Sequence, residues 1–256
     1  MFLHDEALFE VQERLIDVNR SFTAIAIVTG HPEFWSEAFP DAKVVSDEDT
    51  LALEPNSFDL VIHAMALHWA NDPVGQLVQC RRALRPDGLF ISAFLGGQTL
   101  VELRAALSEA EVALTGGLAP RVAPMGEIRD LGGLLQRAGL ALPVADSTKR
   151  NVSYSTPLAL LHDLRAMGEG NALTERQRRI PPRELFTRMA RIYSDHYKTE
   201  DDRVTATFEM IFLTGWAPSE TQQKPLQPGS ASTRLADFLN TPELGPDAKP
   251  VKGNKD

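Results

Sequence analysis

The sequence predicts an α/β fold built on a doubly wound, mostly parallel sheet. Two apolar runs without polar alternation, residues 60–62 and 89–95, predict strands that are buried on both faces. A helical apolar pattern lies between them and ends at the turn formed by residues 85–88. Strand, helix and strand in this order form a right-handed crossover unit. Because ligands of such sheets bind beyond the carboxyl ends of the strands, we expect the active edge after His63 and at Gly96-Gly97.

The elements ahead of this unit are short. Apolar residues spaced i, i+3, i+7 and i+10 predict an amphipathic helix over residues 8–18. Residues 24–28 form a buried strand that ends at the breaker sequence Thr-Gly-His-Pro. One or two helical turns over residues 34–39 and a strand over residues 42–45 follow. The latter ends at the acidic segment 46–49.

The elements within and after the unit follow from caps and periodicity. Asp72 and Pro73 fit the start of the crossover helix, because Asp caps free N–H groups and Pro fits the first turn. Thr99 is predicted to cap the next helix. The remaining predicted elements are that helix up to Gly116, a helix over 125–138, two strands or one bent strand over 144–146 and 152–154, helices over 157–167 and 182–197, and a last strand over 204–216.

Composition narrows the class of protein. The 256 residues suffice for one large domain with additions, and no run approaches the roughly 18 apolar residues that span a bilayer. The first residues carry acids and no apolar core, so neither a secretory signal nor a transit peptide is expected. A single cysteine, Cys80, rules out an internal disulfide and a cysteine-cluster metal site. The net charge of −9 argues against a nucleic-acid partner, and we expect a cytoplasmic protein without a bound metal.

The last part of the chain has a different composition. Beyond Gln222 the sequence is rich in Pro, Gly, Ser and Lys, which is typical of segments that do not fold by themselves. We therefore predict a folded domain over residues 1–221 and a mostly disordered tail over residues 222–256. One helical turn over residues 235–239 is the exception we consider.

Three blocks of the sequence carry a family resemblance. They are residues 58–61 (FDLV), 67–72 (LHWAND) and 84–90 (LRPDGLF). In order and spacing they resemble the class I S-adenosylmethionine-dependent methyltransferases. The similarity is highest to the branch with the malonyl-ACP O-methyltransferase of biotin synthesis and the mitochondrial complex I assembly factor that hydroxylates an arginine, the second being nearer. The resemblance runs from about residue 13 to about residue 239 and implies a Rossmann-like sheet with S-adenosylmethionine as cofactor.

The turn after the first strand departs from the family pattern. The family has Asp-x-Gly-x-Gly there, and its glycines let the backbone approach the cofactor. Residues 26–32 (AIVTGHP) keep one glycine, Gly30, and no acid. The family's second strand is expected to be lost or merged, so that the strand over 42–45 corresponds to the third. Either the cofactor pocket is half dismantled or the cofactor is bound in an altered way.

The resemblance assigns candidate site residues. Asp47 and Glu48 match the acidic pair that contacts the adenine amino group, although a solvated loop pair would look the same. His63 could contact the methionine end of the cofactor or be a core histidine, and His68 with Trp69 could form a cleft wall or simply pack. The candidates for cofactor binding are Gly30, Asp47, Glu48, His63, Ala64 and His68. The candidates for substrate binding are Trp69, Gly96 and Gly97, and no catalytic residue is assigned.

Two functions from different classes follow. The first is a methyltransferase-like enzyme that methylates a carboxyl or modifies a protein side chain, with a small molecule or a protein as substrate. A missing acid–base dyad does not oppose it, because positioning can supply most of the barrier reduction for methyl transfer. The alternative is a degenerate, non-enzymatic member that binds a partner protein during assembly of a respiratory complex. The state of the turn at Gly30 separates the two.

Overall fold

The structure is a computed structural model, and it describes residues 1–223 and Thr241. Residues Met1–Ser219 form one compact unit. The predicted tail, with its helical turn over residues 235–239, lies almost entirely outside the described residues, and the predicted domain boundary stays a prediction. The elements are α1 (Phe2–Val18), β1 (Ile25–Val28), α2 (Pro32–Ala38), β2 (Lys43–Val45), β3 (Phe58–Ala64), a 3-10 helix (Leu67–Trp69), α3 (Pro73–Ala83), β4 (Leu84–Leu95), α4 (Val101–Thr115), α5 (Ile128–Arg137), β5 (Ala141–Tyr154), α6 (Pro157–Ala166), α7 (Arg183–Tyr197) and β6 (Val204–Trp216).

Six strands form one mixed sheet in the order β2-β1-β3-β4-β6-β5. The pairs β2–β1, β1–β3 and β3–β4 are parallel. The last strand along the chain, β6, inserts between β4 and β5 and is antiparallel to both. This arrangement confirms the predicted doubly wound, mostly parallel sheet with late antiparallel strands.

The N-terminal half of the sheet is short. Between β1 and β3 the chain forms α2 and a single strand, β2, which pairs directly with β1 at the sheet edge. The edge strand therefore has three residues and one neighbour, and its correspondence to the family's third strand stays a prediction.

Helices cover both faces of the sheet. Ile27 and Ile62 point into a core with α1, α4, α6 and α7, whereas Val28 and Val61 point into a second core with α3 and α5. These strand residues are fully buried, as the absence of polar alternation predicted. Each such side chain contributes about 1.5–3 kcal/mol on burial, so the central strands anchor both layers.

Several boundaries differ from the sequence prediction. Strand β4 begins at Leu84, so residues 85–88, which were predicted to form a turn, belong to the strand. Helix α1 begins at Phe2, six residues early, because Leu3 and Ala7 extend its buried stripe toward the N-terminus. The segment predicted as two strands or one bent strand is the single strand β5, which pairs with β6 along nearly its whole length. Helix α5 begins at Ile128 instead of at residue 125. The shift leaves the preceding residues in a loop that lines a cavity.

The prediction that Thr99 caps α4 is wrong. The cap position is held by Leu100, whose φ of 55° lies in the left-handed region. The Thr99 hydroxyl instead donates to the Gly96 carbonyl over 2.8 Å and accepts the Glu209 N–H over 2.9 Å. Thr99 is completely buried, so these backbone groups need its hydroxyl because water cannot reach them.

Candidate functional site

The carboxyl ends of β1, β2, β3 and β4 meet at one edge of the sheet. Val28 is in register with Val45 on one side and with His63 on the other, and His63 is in register with Ser92. Residues that follow these positions therefore lie side by side. Two cavities open at this edge, with volumes of about 330 and 650 Å³, and we call them the small and the large cavity. Both volumes fall within the range of small-molecule sites.

The small cavity lies between the turn after β1, the loop after β2 and the end of α6. Gly30 and Asp47 face each other there, since a methyl group added at Gly30 would lie 3.5 Å from an Asp47 carboxylate oxygen. Two residues that follow β3 add apolar and aromatic surface. The lining consists of Gly30, His31, Asp47, Met65, Trp69, Arg165, Ala166, Met167, Gly168 and Glu169.

Met65, the first residue after β3, has a strained backbone. Its φ of 53° lies in the left-handed region, which a bulky side chain rarely adopts. The strain is held by the hydrogen bond from the Met65 N–H to the Ala93 carbonyl, at 2.7 Å. Because such strain concentrates at ligand sites, Met65 supports the small cavity as a functional site.

The large cavity is mostly apolar. Its walls come from α4, α6, α7 and the loop over residues 119–126, and Leu103, Leu107 and Leu161 are among the side chains that line it. Arg121 stands in this wall but is already paired, because its guanidinium donates to the buried Glu111 carboxylate over 2.6 and 3.1 Å. The large cavity therefore suits a ligand with an apolar body.

Four residues line both cavities. They are Trp69, Arg165, Gly168 and Glu169, and we call them the shared wall. Ligands bound in the two cavities at once would both contact these residues. A reaction between two bound molecules requires that they lie close together, and the two cavities adjoin at the shared wall.

His68 and Glu169 form a pair beside the shared wall. Nε2 of His68 lies 3.3 Å from Oε1 of Glu169, and both side chains are largely buried. The backbone fixes Glu169, because the Glu169 N–H bonds the Leu164 carbonyl over 2.9 Å and Gly168 adopts φ 82°, as in a glycine-terminated helix end. His68 lines the large cavity, and its Nδ1 is buried without a hydrogen-bond partner among the described residues.

Several predicted site residues lie outside both cavities. His63 and Ala64 are fully buried within β3. Nε2 of His63 lies 2.6 Å from the Gln76 side-chain oxygen, and burial lowers the pKa of His63 to about 4. Glu48 belongs to neither lining, and its carbonyl accepts the Gln76 side-chain N–H over 3.1 Å. A cofactor contact by any of the three stays a prediction.

Gly96 and Gly97 lie against β6. A methyl group added at Gly97, where φ is 52°, would lie 2.3 Å from the Glu209 carboxylate, and one at Gly96 would lie 2.6 Å from Ile211. Both glycines thus let the turn after β4 approach β6 closely. Neither lines a cavity, and their predicted contact with substrate is untested.

The first turn of α1 also reaches this region, which the sequence reading missed. The His4 and His31 rings lie 4.4 Å apart, and the Trp35 indole N–H donates to His4 Nδ1 over 3.2 Å. Burial, and then the neighbouring His31, lower the pKa of His4 to about 4. His4 is therefore neutral at neutral pH and can accept the Trp35 hydrogen bond. Because His31 lines the small cavity, α1 supports that wall from behind.

Other chemistry is limited in the part of the chain that the structure describes. No group of three or more His, Cys, Asp or Glu residues within it could hold a metal ion. Cys80 is buried in α3, and burial raises the pKa of its thiol to about 12, which makes it a poor nucleophile. Every helix described is too short or too polar to cross a bilayer.

The sheet order, the cavities at its carboxyl edge and the sequence match define the class of protein. Residues 7–92 match the family described as "Methyltransferase domain". The chain belongs to the class I S-adenosylmethionine-dependent methyltransferase superfamily. Among solved structures, the YcgJ protein of Bacillus subtilis superposes with a TM-score of 0.52 at 10% identity, over 84% of this chain and all of YcgJ, which shows the shared fold.

Curated relatives have two different activities in their names. The chain is 39% identical to the arginine-hydroxylase NDUFAF5 of Danio rerio over 208 residues, which are 81% of this chain and 64% of that protein. The human NDUFAF5 is 37% identical over 82% of this chain and 61% of its own length. The malonyl-[acyl-carrier protein] O-methyltransferase of Laribacter hongkongensis is 34% identical over 73% of this chain and 61% of that protein. The chain thus spans less than two thirds of these relatives.

Proposed function

We propose that this protein is an S-adenosylmethionine-dependent methyltransferase that binds the cofactor in the small cavity and the methyl acceptor in the large one. The observation that carries the proposal is the shared wall, because it places two adjoining cavities at the carboxyl edge of the sheet. Membership of the superfamily and the name of the Laribacter relative support the same reaction type.

The residues of the small cavity fit this cofactor. When bound, S-adenosylmethionine supplies a methyl group on a positively charged sulfur. The Asp47 carboxylate lines the cavity and can accept hydrogen bonds from hydroxyl or amino groups. The indole of Trp69 offers an aromatic face, which attracts a cation. Gly30 adds no side chain, so a ligand can approach the backbone at the turn after β1.

The chain's own residues would act mainly by positioning. Apolar side chains of the large cavity exclude water and hold the acceptor's apolar body, which reduces the entropy cost of bringing the reactants together. Glu169, oriented by His68 and by the turn at Gly168, can hold hydrogen-bond donors of the acceptor at the shared wall. No proton transfer is required when the acceptor is a carboxylate.

The acceptor belongs to one of two chemical classes. A carboxyl group is supported by the name of the malonyl-[acyl-carrier protein] O-methyltransferase, and a protein side chain is supported by the name of the arginine-hydroxylase relatives. The apolar lining of the large cavity favours an acceptor whose reactive group stands on an apolar stem. A carboxyl group on an acyl chain and a side chain of a docked peptide both meet that requirement.

Calorimetric titration with S-adenosylmethionine tests the proposal. We expect saturable binding to one site per chain, and no heat of binding at millimolar ligand would overturn it. Incubation with methyl-labelled cofactor and either acyl-thioester carboxylates or protein extracts then identifies the acceptor class by transfer of label. A chain that binds no cofactor but retrieves a stable protein partner through an affinity tag would instead support the non-enzymatic assembly role.

A further inference from the structure

A buried glutamine of α3 holds the loop that carries Asp47. Gln76 is 3% exposed, and its side-chain oxygen lies 2.6 Å from Nε2 of His63, which is fully buried. The amide nitrogen of Gln76 donates to the Glu48 carbonyl over 3.1 Å. The residue thus links β3 to the backbone next to Asp47.

The direction of these hydrogen bonds is fixed. Since the oxygen of Gln76 can only accept, Nε2 of His63 must carry the hydrogen. His63 remains neutral at neutral pH, because burial lowers its pKa to about 4, so the ring carries one hydrogen. His63 donates this hydrogen to the side-chain oxygen of Gln76. The amide N–H of Gln76 therefore donates to the Glu48 carbonyl.

A second glutamine lies one turn further along α3. The amide nitrogen of Gln79 donates to the Asp49 carbonyl over 2.9 Å, and its oxygen accepts the Leu51 N–H over 2.8 Å. Residues three apart share one face of a helix, so both glutamines reach the same loop. The loop backbone is therefore hydrogen-bonded to α3 at three residues, 48, 49 and 51.

The strand ahead of this loop gives it little support. Strand β2 has three residues and pairs with β1 alone, at the edge of the sheet. Short edge elements with few neighbours open locally at low cost. Besides that short pairing and the two glutamines, the loop after β2 is attached mainly through Leu51, which is buried in the core beside α3.

We propose that Gln76 and Gln79 are positioning residues that set the Asp47 carboxylate in the small cavity. They act through the loop backbone and replace support that a neighbouring strand would provide. The inference rests on the proposed binding of S-adenosylmethionine in the small cavity. It goes beyond that proposal because neither glutamine lines a cavity.

The test compares loop exchange and cofactor affinity in Gln76→Leu. We expect faster hydrogen exchange of amides 48–53 in the ligand-free protein and a dissociation constant for S-adenosylmethionine raised on the order of five- to tenfold, the factor that one hydrogen bond is worth. Gln79→Leu should act in the same direction. Unchanged exchange in both variants would overturn the inference, and so would affinities within twofold of the unsubstituted protein.

A double variant separates positioning from folding stability. Gln76→Leu alone leaves the buried His63 N–H unpaired, whereas His63→Leu with Gln76→Leu removes both polar groups and should regain thermal stability. We expect cofactor affinity to stay weak in the double variant, because the bond to Glu48 is still missing. Affinity that recovers together with stability would show a merely structural role and overturn the inference.

Cys80→Ala serves as the matched control. It weakens the core packing of the same helix but leaves the hydrogen bonds of Gln76 and Gln79 to the loop in place, so we expect a lower melting temperature with unchanged affinity. An affinity loss in Cys80→Ala as large as that in Gln76→Leu would count against the inference. If the unsubstituted chain binds no cofactor, the proposed function fails, whereas the exchange measurement still decides whether the glutamines hold the loop.

Discussion

The two ends of the sheet are built differently. At one end, β5 and β6 are 14 and 13 residues long and pair along nearly their whole length. At the other end, β1 and β2 have four and three residues. The long strands are further fixed by buried carboxylates, whereas the loops of the short strands carry Gly30 and Asp47 and open onto the small cavity.

Two glutamates lock the long end. Glu209 on β6 accepts the Gln98 N–H over 2.8 Å and the Ser147 hydroxyl over 2.9 Å. Glu102 on α4 accepts the Thr207 N–H over 3.1 Å. These buried charges are satisfied by hydrogen bonds, which is the condition for a carboxylate to be tolerated there. The turn after β4 is therefore a structural clamp.

The difference in strand length suggests that one end of the sheet mainly stabilises the fold and the other end mainly serves ligand binding. Regions that bind and release ligands come from the less stable part of a protein, because they must move. Here the long strands hold the fold, and the short end carries the cavity in which we propose that the cofactor binds. Equivalent substitutions at the two ends should therefore act on different measurements.

The largest effect is expected for Gly97→Ala at the long end. Its φ of 52° disfavours alanine, and the added carbon would lie 2.3 Å from the Glu209 carboxylate. Backbone strain and overpacking together should lower the free energy of unfolding by about 3 kcal/mol, measured by urea denaturation. Gly117→Ala is the control, because no atom lies within 4 Å of the added carbon, and it should change stability by less than about 0.5 kcal/mol. Equal free energies of unfolding for the two variants would show that the turn after β4 is not packed tightly against β6.

The next effect concerns His63 and pH. Burial lowers its pKa from 6.5 to about 4 in the folded chain, so between these values the unfolded chain binds the proton and the folded chain does not. Its contribution is thus complete above pH 6.5 and is lost as the pH falls toward 4. At pH 5 the loss should be about 2 kcal/mol of unfolding free energy.

Urea denaturation at pH 7 and pH 5 measures this loss together with that of His4, whose pKa burial also lowers to about 4. The difference between the two pH values should shrink in His63→Leu, which cannot titrate. It should be unchanged in His162→Gln, a substitution at an exposed histidine. The same pH dependence in the His63 variant and in the unsubstituted chain would show that burial of His63 is not its cause.

A smaller effect is expected at the short end for Asp47→Ala. The substitution removes the carboxylate that faces Gly30, so affinity for S-adenosylmethionine should fall about tenfold, the worth of one charged hydrogen bond. Asp41→Ala is the matched control, because this exposed carboxylate precedes β2 and lines neither cavity. Titration calorimetry measures both, and equal affinities would remove Asp47 from the site.

The sequence allowed the sheet to be predicted because its signals are local. Buried runs such as residues 60–62 and 89–95 lie on central strands, and the shortened segment between Gly30 and Asp47 left room for one short strand. The edge that carries the cavities followed from the parallel pairing. Family resemblance added the cofactor, and nothing in the residue pattern alone would have suggested it.

Tertiary contacts explain what could not be predicted. Thr99 looks like a helix cap, but its hydroxyl is taken by backbone groups of Gly96 and Glu209, the second 110 residues away. Glu169 enters the shared wall from 101 residues beyond His68, a separation that no local sequence pattern reveals. A glycine pair such as Gly96-Gly97 indicates that another part of the chain approaches the backbone closely, but it does not indicate which residues those are.

The smallest stability effect is expected for Gly30→Ala, the same substitution at the opposite end of the sheet. Its φ lies outside the left-handed region, and the added carbon meets the Asp47 carboxylate at an ordinary 3.5 Å. The free energy of unfolding should therefore change by less than about 0.5 kcal/mol. Cofactor affinity should still fall, because the added methyl group occupies the small cavity where a ligand approaches the backbone. Urea denaturation and calorimetry on Gly30→Ala, compared with the same measurements on Gly97→Ala, test whether the two ends of the sheet differ in this way. A loss of unfolding free energy in Gly30→Ala as large as that in Gly97→Ala would show that both ends stabilise the fold equally.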